Sequence, residues 1–167
     1  MKTPFCFYGH TRDVFYKAVL SNFHPTPSAV FVNGILIPTR TSEHAFMLKK
    51  AAHFSDWDIF NLMRESETPY EVKKLGKKVK GFSETEWDRV KFDYMIEAVT
   101  NKFNALSYKH QYQLRQFAEK HFFVECSPFD TVWGVGVSEA DYLSMTEDEK
   151  KNLGSNLLGK VWDTVLG

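Results

Sequence analysis

Glu43 and Lys50 stand seven residues apart in the segment Thr41-Ser42-Glu43-His44-Ala45-Phe46-Met47-Leu48-Lys49-Lys50-Ala51. On an α-helix that spacing is about two turns, so both side chains lie along one face with Phe46 or Met47. A carboxylate and an ammonium so placed can line one pocket. The plainer role for the same residues is a Glu43 that favours the helix N-terminus and a solvated Lys50. A second segment, Glu125-Cys126-Ser127-Pro128-Phe129-Asp130-Thr131-Val132-Trp133-Gly134-Val135-Gly136, delivers two carboxylates and then a tryptophan among turn residues. Gly134 and Gly136 allow a backbone to approach a ligand closely, Trp133 offers a stacking face, and loops after strands often carry sites.

Three further stretches carry weaker signals. Leu20-Ser21-Asn22-Phe23-His24-Pro25 is a polar turn closed by proline. In Gly154-Ser155-Asn156-Leu157-Leu158-Gly159, Asn156 is either a helix cap or the start of an anion site built from free N–H groups. The run from Lys73 to Lys80 holds five lysines in eight positions, which suits a solvated face or else phosphate contact.

Several chemistries are excluded at this level. The chain has no GxxxxGK[ST] loop, no GxGxxG after a strand and no GxSxG elbow. Its six histidines and two cysteines form no zinc spacing, so no metal and no cofactor are expected. With 21 basic and 21 acidic residues the chain is neutral, which argues against a nucleic-acid coat or a polybasic anchor while leaving room for a local phosphate pocket. No apolar run approaches the roughly 18 residues of a membrane span, and the N-terminus lacks a signal-peptide core. Cys6 and Cys126 read as reduced thiols. A cytoplasmic location is the expectation.

The elements that must position these residues follow from local signals. Asn33-Gly34 between Ala29-Val30-Phe31-Val32 and Ile35-Leu36-Ile37 predicts a β-hairpin with a type I′ turn, ended by Pro38. Thr41 or Ser42 caps a helix to about Ala52, and Ser55 with Asp58 suggests another start. Thr68-Pro69-Tyr70-Glu71 and Ser83-Glu84-Thr85-Glu86 carry capping-box logic. From Trp87 the apolar steps of three and four predict a long helix to about Asn104. Leu114, Phe117 and Ala118 mark a helix, His121 to Glu125 a buried strand, and Glu139 to Lys150 and Asn156 to Leu166 two closing helices. The sum is a helix-rich α+β fold of six or seven helices and a small sheet, one compact domain over 1–167.

Taken in order, these segments resemble the NADAR family, also called YbiA-like. The carriers are Leu20-Ser21-Asn22-Phe23, Ser42-Glu43-His44-Ala45-Phe46 with Lys50-Ala51, Lys74-Leu75-Gly76, Trp87, Lys102-Phe103, the Glu125-x-Ser127-Pro128-x-Asp130-x-x-Trp133-Gly134-x-Gly136 block, and Gly154-x-Asn156-x-Leu158-Gly159. The match runs from about Phe7 to Val165. It departs at Lys91, where the family usually has arginine, and in the last helix, which ends Trp162-Asp163-Thr164-Val165-Leu166-Gly167.

The resemblance implies an N-glycosidase that cleaves a ribose C1–N bond. Its substrate would be ADP-ribose on guanine, free or in nucleic acid (a reversal of ADP-ribosylation), or a ribosylaminopyrimidine intermediate of riboflavin synthesis. Such an aminal can expel its amine through an oxocarbenium-like cation or open to an imine at C1. Both routes need a proton delivered and positive charge stabilised, work suited to carboxylates. Glu43, Glu125 and Asp130 are the candidates, and Lys50 with a depressed pKa could attack the imine to form a Schiff base. Phe23, Trp87 or Trp133 would stack a base, and Lys102 and the Asn156 helix start would suit phosphates. Asn22, Gly134 and Gly136 complete the expected substrate contacts. No obligate protein partner and no membrane are implied. The competing readings are a non-catalytic module that binds ADP-ribose or a nucleotide, and a structural protein with an aromatic core.

Overall fold

The computed structural model describes residues 1–11 and 14–167. In chain order its elements are β1 (Thr3–Phe7), α1 (Phe15–Ala18), β2 (Ser28–Val32), β3 (Ile35–Thr39), α2 (Ser42–His53), α3 (Trp57–Glu65), α4 (Pro69–Gly76), α5 (Glu84–Asn104), α6 (Tyr108–Lys120), β4 (His121–Glu125), α7 (Glu139–Ser144), α8 (Glu147–Lys150) and α9 (Leu157–Leu166). The helix-rich α+β class is as expected. The count is nine helices among the described residues rather than six or seven. One extra is the short α1. The other arises because the expected helix from Glu139 to Lys150 breaks at Met145, where Thr146 opens α8 with a full capping box.

Two compact units divide the chain, Met1–Ser21 with Tyr108–Gly167 and Asn22–Ser107. In the first, β1 and β4 form a parallel pair with Phe7 opposite Glu125. This N-terminal strand has no alternating pattern of its own and was not expected. α9 lies along β4, where Asp163 accepts from the Phe123 N–H at 2.9 Å. Trp162 is fully buried and donates its indole N–H to the Leu20 carbonyl at 3.0 Å, satisfying the ring's one polar atom.

The second unit starts with the hairpin. Asn33 and Gly34 have φ of 51° and 77°, the positive pair a type I′ turn demands. β3 runs through Pro38 to Thr39, one turn signal further than expected, with Pro38 opposite Ala29. Each strand of a two-stranded sheet is an edge, where a missing N–H is tolerated. Among the described residues the small sheet is therefore two separate two-stranded pairs.

Helix starts follow the chain's capping residues. The Thr41 hydroxyl accepts from His44 N, Thr68 from Glu71 N and Ser83 from Glu86 N. Asp56, rather than Ser55, caps α3. The Glu71 carboxylate reaches the Glu67 N–H instead of closing a box on Thr68. α2 is the central element here, packing on α3, α4 and α5, and eight of its residues, from Ser42 to Leu48 and Ala51, are buried.

Candidate functional site

In the second unit α2 carries the acid and the amine as its geometry requires. Glu43 sits in the first turn, is buried, and donates its N–H to the Asn22 carbonyl at 3.1 Å. Lys50 is two turns on and half-buried. Its Nζ donates to the Gly76 carbonyl at the end of α4 at 2.9 Å. The same nitrogen lies 4.6 Å from the Phe82 ring centre and 5.7 Å from that of Trp87. Trp87 is buried and packs on Phe46 at 5.1 Å and Tyr94 at 5.9 Å. Burial in this aromatic wall holds the Lys50 ammonium below the ordinary lysine range, and the charge of Glu43 offsets part of that effect. The expected depression of the Lys50 pKa is present in direction and in cause.

Around the start of α2 a polar cluster gathers. The Ser42 hydroxyl donates to Asn22 Oδ1 at 2.8 Å. Lys102, from the last turn of α5, donates its Nζ to Ser42 Oγ at 3.4 Å. Lys102 is 1 % exposed, and burial pushes its amine down to about 7. A phosphate cannot reach that nitrogen in this arrangement, so the expected phosphate role of Lys102 is set aside. His44 is held as the neutral imidazole: Nδ1 accepts from Arg40 N and Nε2 donates to the Met63 carbonyl, while burial pulls its pKa down.

Phe23 packs edge-on against Tyr70 at 4.9 Å, with the Lys73 ammonium 5.7 Å from its ring. The other members of the lysine run, Lys74, Lys77, Lys78 and Lys80, are exposed like Lys73, as a solvated face requires. An open cleft of about 470 Å³ adjoins the aromatic wall through Phe54, with Asp56, Trp57 and Lys80 on its other sides. Phe54 lies 5.3 Å from Phe82.

In the first unit the motif loop is built around its own backbone. Asp130 Oδ1 accepts from Val132 N and Trp133 N, both at 2.8 Å, which fixes the turn that presents Trp133. A Cβ on Gly134 would sit 2.9 Å from the Glu125 carbonyl, and Gly136 has φ of 81°. The loop's own packing requires these glycines. Asn156 adopts φ 52° and caps nothing through its side chain. Its Oδ1 accepts from Glu125 N and its Nδ2 donates to the Phe123 carbonyl, both at 2.9 Å, so it closes off β4. The N–H groups of Asn156, Leu157 and Leu158 donate to the carbonyls of Gly134, Val132 and Trp133. The helix start is thus spent on the motif loop, and the expected anion site there is not available. Glu125 and Trp133 are both partly buried.

Phe82 and the Gly76 carbonyl are the site partners that sequence reasoning missed. Among the described residues no group of three or more His, Cys, Asp or Glu side chains could hold a metal ion, and no helix is long and apolar enough to cross a membrane.

The family model for the NADAR domain matches residues 6–166. This chain belongs to the NADAR domain family. Among relatives it is 29 % identical over 158 residues to the N-glycosidase R617 of Acanthamoeba polyphaga mimivirus, covering 93 % of this chain and 89 % of that one. It is 33 % identical over 166 residues to Protein irg-1 of Caenorhabditis elegans, covering 91 % of this chain and 76 % of that one. The solved NMR structure of the E. coli protein YbiA superposes with a TM-score of 0.71 at 25 % identity, covering 99 % of this chain and 84 % of that chain. A NADAR domain with relatives named N-glycosidases is a glycosidase in class.

Proposed function

We propose that this NADAR protein hydrolyses the bond between a ribose C1 and an amine nitrogen, with ADP-ribosyl guanine or a ribosylaminopyrimidine as substrate. The observation that carries the reading is a half-buried Lys50, its pKa depressed, on the same helix as the buried Glu43. Burial that lowers the Lys50 pKa raises the share of free amine, which is the nucleophilic form, and a neighbouring carboxyl group can move the protons such a nucleophile requires.

A proton delivered to the ring oxygen opens the sugar, and C1 becomes an iminium of the departing amine. The Lys50 Nζ lone pair adds to C1, and a proton moves from the lysine nitrogen to the departing nitrogen, with Glu43 as carrier. The C1–N bond to the base then breaks, leaving a lysine Schiff base at C1. Water adds to that imine, the C1–Nζ bond breaks, and the open sugar recloses. The net reaction consumes one water and yields the free base amine and the ribose hemiacetal. The Phe82 and Trp87 rings shield part of the amine from water, and the cleft beside Phe54 has the volume for a base-sized group.

The test is mass spectrometry after incubation with ADP-ribosyl guanosine and, in parallel, with a ribosylaminopyrimidine, each with and without cyanoborohydride. Loss of the base from one of them names the substrate branch, and a reduced sugar adduct on Lys50 establishes the covalent step. Binding of either compound without release of base overturns the enzymatic reading in favour of a binding module. Full turnover by Lys50→Ala with no adduct in the wild type overturns the role of the amine.

A further inference from the structure

We propose that Lys102 is a positioning residue, which through Ser42 fixes the Asn22 side-chain amide in the one orientation that holds an N–H out for an oxygen acceptor on the substrate. The proposal rests on the glycosidase reading above and deepens it. Lys102 reaches the cluster from α5, Ser42 belongs to α2 and Asn22 precedes the hairpin, so three separate stretches of the second unit meet at one hydroxyl. A serine hydroxyl has a single proton, and here that proton goes to Asn22 Oδ1 at 2.8 Å. Its oxygen in turn accepts from the Lys102 amine.

The direction of this chain decides which end of the amide faces outward. With Oδ1 committed to Ser42, the Asn22 Nδ2 points the other way. One of its two N–H groups meets the Met95 sulfur at 3.5 Å, a weak acceptor. Among the described residues the second N–H meets no acceptor, and Asn22 is only partly buried, so that N–H is placed to donate to a ligand oxygen, such as a ribose hydroxyl or a base carbonyl. The Lys102 N–H fills one of the two acceptor positions of the Ser42 oxygen and so biases the hydroxyl proton toward Oδ1; without the amine both positions are open to Nδ2, and the amide turns over more readily. A turned amide presents a second acceptor to the substrate's acceptor and loses the bond. Asn22 is already tied to the site through its backbone, since its carbonyl accepts from Glu43 N at 3.1 Å. Lys102 therefore acts at one remove, on the group beside the acid, and never touches the substrate.

The experiment compares Lys102→Met, Ser42→Ala, Ser42→Thr and the Lys102→Met/Ser42→Ala double variant, using whichever of ADP-ribosyl guanosine and the ribosylaminopyrimidine the wild type cleaves. A substrate hydrogen bond held by the amide is worth about tenfold. The expected result is a KM raised about tenfold in Lys102→Met and in Ser42→Ala, with kcat within about threefold of the wild type. Ser42→Thr keeps the hydroxyl and stays near the wild type, and the double variant loses no more than either single one. A Lys102→Met enzyme with wild-type KM, or two losses that multiply in the double variant, overturns the proposal. If the wild type cleaves neither compound, the substrate reading fails on its own, and the positioning claim is read from the Asn22 side-chain amide signals in ¹⁵N–¹H spectra. Both signals are expected to move in Lys102→Met and Ser42→Ala and to stay in place in Ser42→Thr. Signals that do not move in the first two overturn it. Should Lys102→Met fail to fold, Ser42→Ala and Ser42→Thr carry the same comparison.

Discussion

The Lys50 Nζ lies 4.6 Å from the centre of the Phe82 ring, and Phe82 is 43 % exposed. Phe82 is the outer wall of the amine's surroundings, and it faces water on its other side. Replacing Phe82 with alanine lets water reach Lys50, which raises the amine's pKa back towards the ordinary lysine value. The free amine is the reactive form, so its fraction at pH 7 falls. Phe82→Ala is expected to lower kcat/KM several-fold at pH 7 and to move the rising limb of the pH–rate profile to higher pH. A profile that keeps its position while its height drops would mean that Phe82 acts by packing alone.

Asp130 offers a cleaner separation of architecture from chemistry. Its Oδ1 holds the Val132 and Trp133 N–H groups, and an asparagine oxygen can accept both bonds as well. Asp130→Asn is expected to keep the loop and the thermal midpoint. Asp130→Ala leaves two N–H groups without their acceptor and is expected to cost on the order of 1 to 2 kcal/mol, read by denaturant unfolding. If the negative charge also serves the reaction, Asp130→Asn loses turnover at unchanged stability. Equal turnover in Asp130→Asn and the wild type would confine Asp130 to the turn.

Asn156 is a stability residue with a function-like position in the motif. Both ends of its amide are used on β4, at Glu125 N and the Phe123 carbonyl. Alanine removes both bonds and also places a Cβ residue with no amide at φ 52°. Asn156→Ala is expected to cost on the order of 2 to 4 kcal/mol. Asn156→Asp keeps the acceptor for Glu125 N but sets a carboxylate against the Phe123 carbonyl, so it is expected to fall with the alanine variant. Urea unfolding checks both, and an Asn156→Asp protein as stable as the wild type would contradict the assignment.

What the sequence made legible was whatever depends on near neighbours. Asn33-Gly34 declared the hairpin because two positive φ angles suit few other pairs. Thr41, Thr68 and Ser83 declared helix starts because a hydroxyl three residues from a free N–H is a local event. The seven-residue spacing put Glu43 and Lys50 on one helix face for the same reason. β1 stayed hidden because Thr3-Pro4-Phe5-Cys6-Phe7 becomes a strand only through its pairing with β4, more than a hundred residues on. Phe82 and the Gly76 carbonyl stayed hidden because neither is marked by type or spacing, and a backbone carbonyl leaves no trace in a side-chain pattern. Lys102 was visible as a residue, but its burial is set by the packing of α5 on α2, and burial is what reverses its role.

That burial makes a prediction about stability and pH. The Lys102 amine is pushed from the ordinary 10.5 down to about 7 by loss of water. Below pH 7 the amine is protonated in both the folded and the unfolded chain, and the folded state carries the full penalty of a buried cation. Between about 7 and 10.5 the unfolded chain binds the proton and the folded chain does not, so folding stability rises with pH, by about 1.4 kcal/mol per unit across that window. Other groups titrate there too, so the comparison is with Lys102→Met, which fills the same space without an amine. Lys102→Met is expected to be more stable than the wild type at pH 6, and its lead is expected to shrink steadily as pH rises from 7 to 10. A lead that stays constant over that range would show that the Lys102 proton is bound equally in the folded and unfolded chain, and the buried amine would then be an ordinary charged lysine.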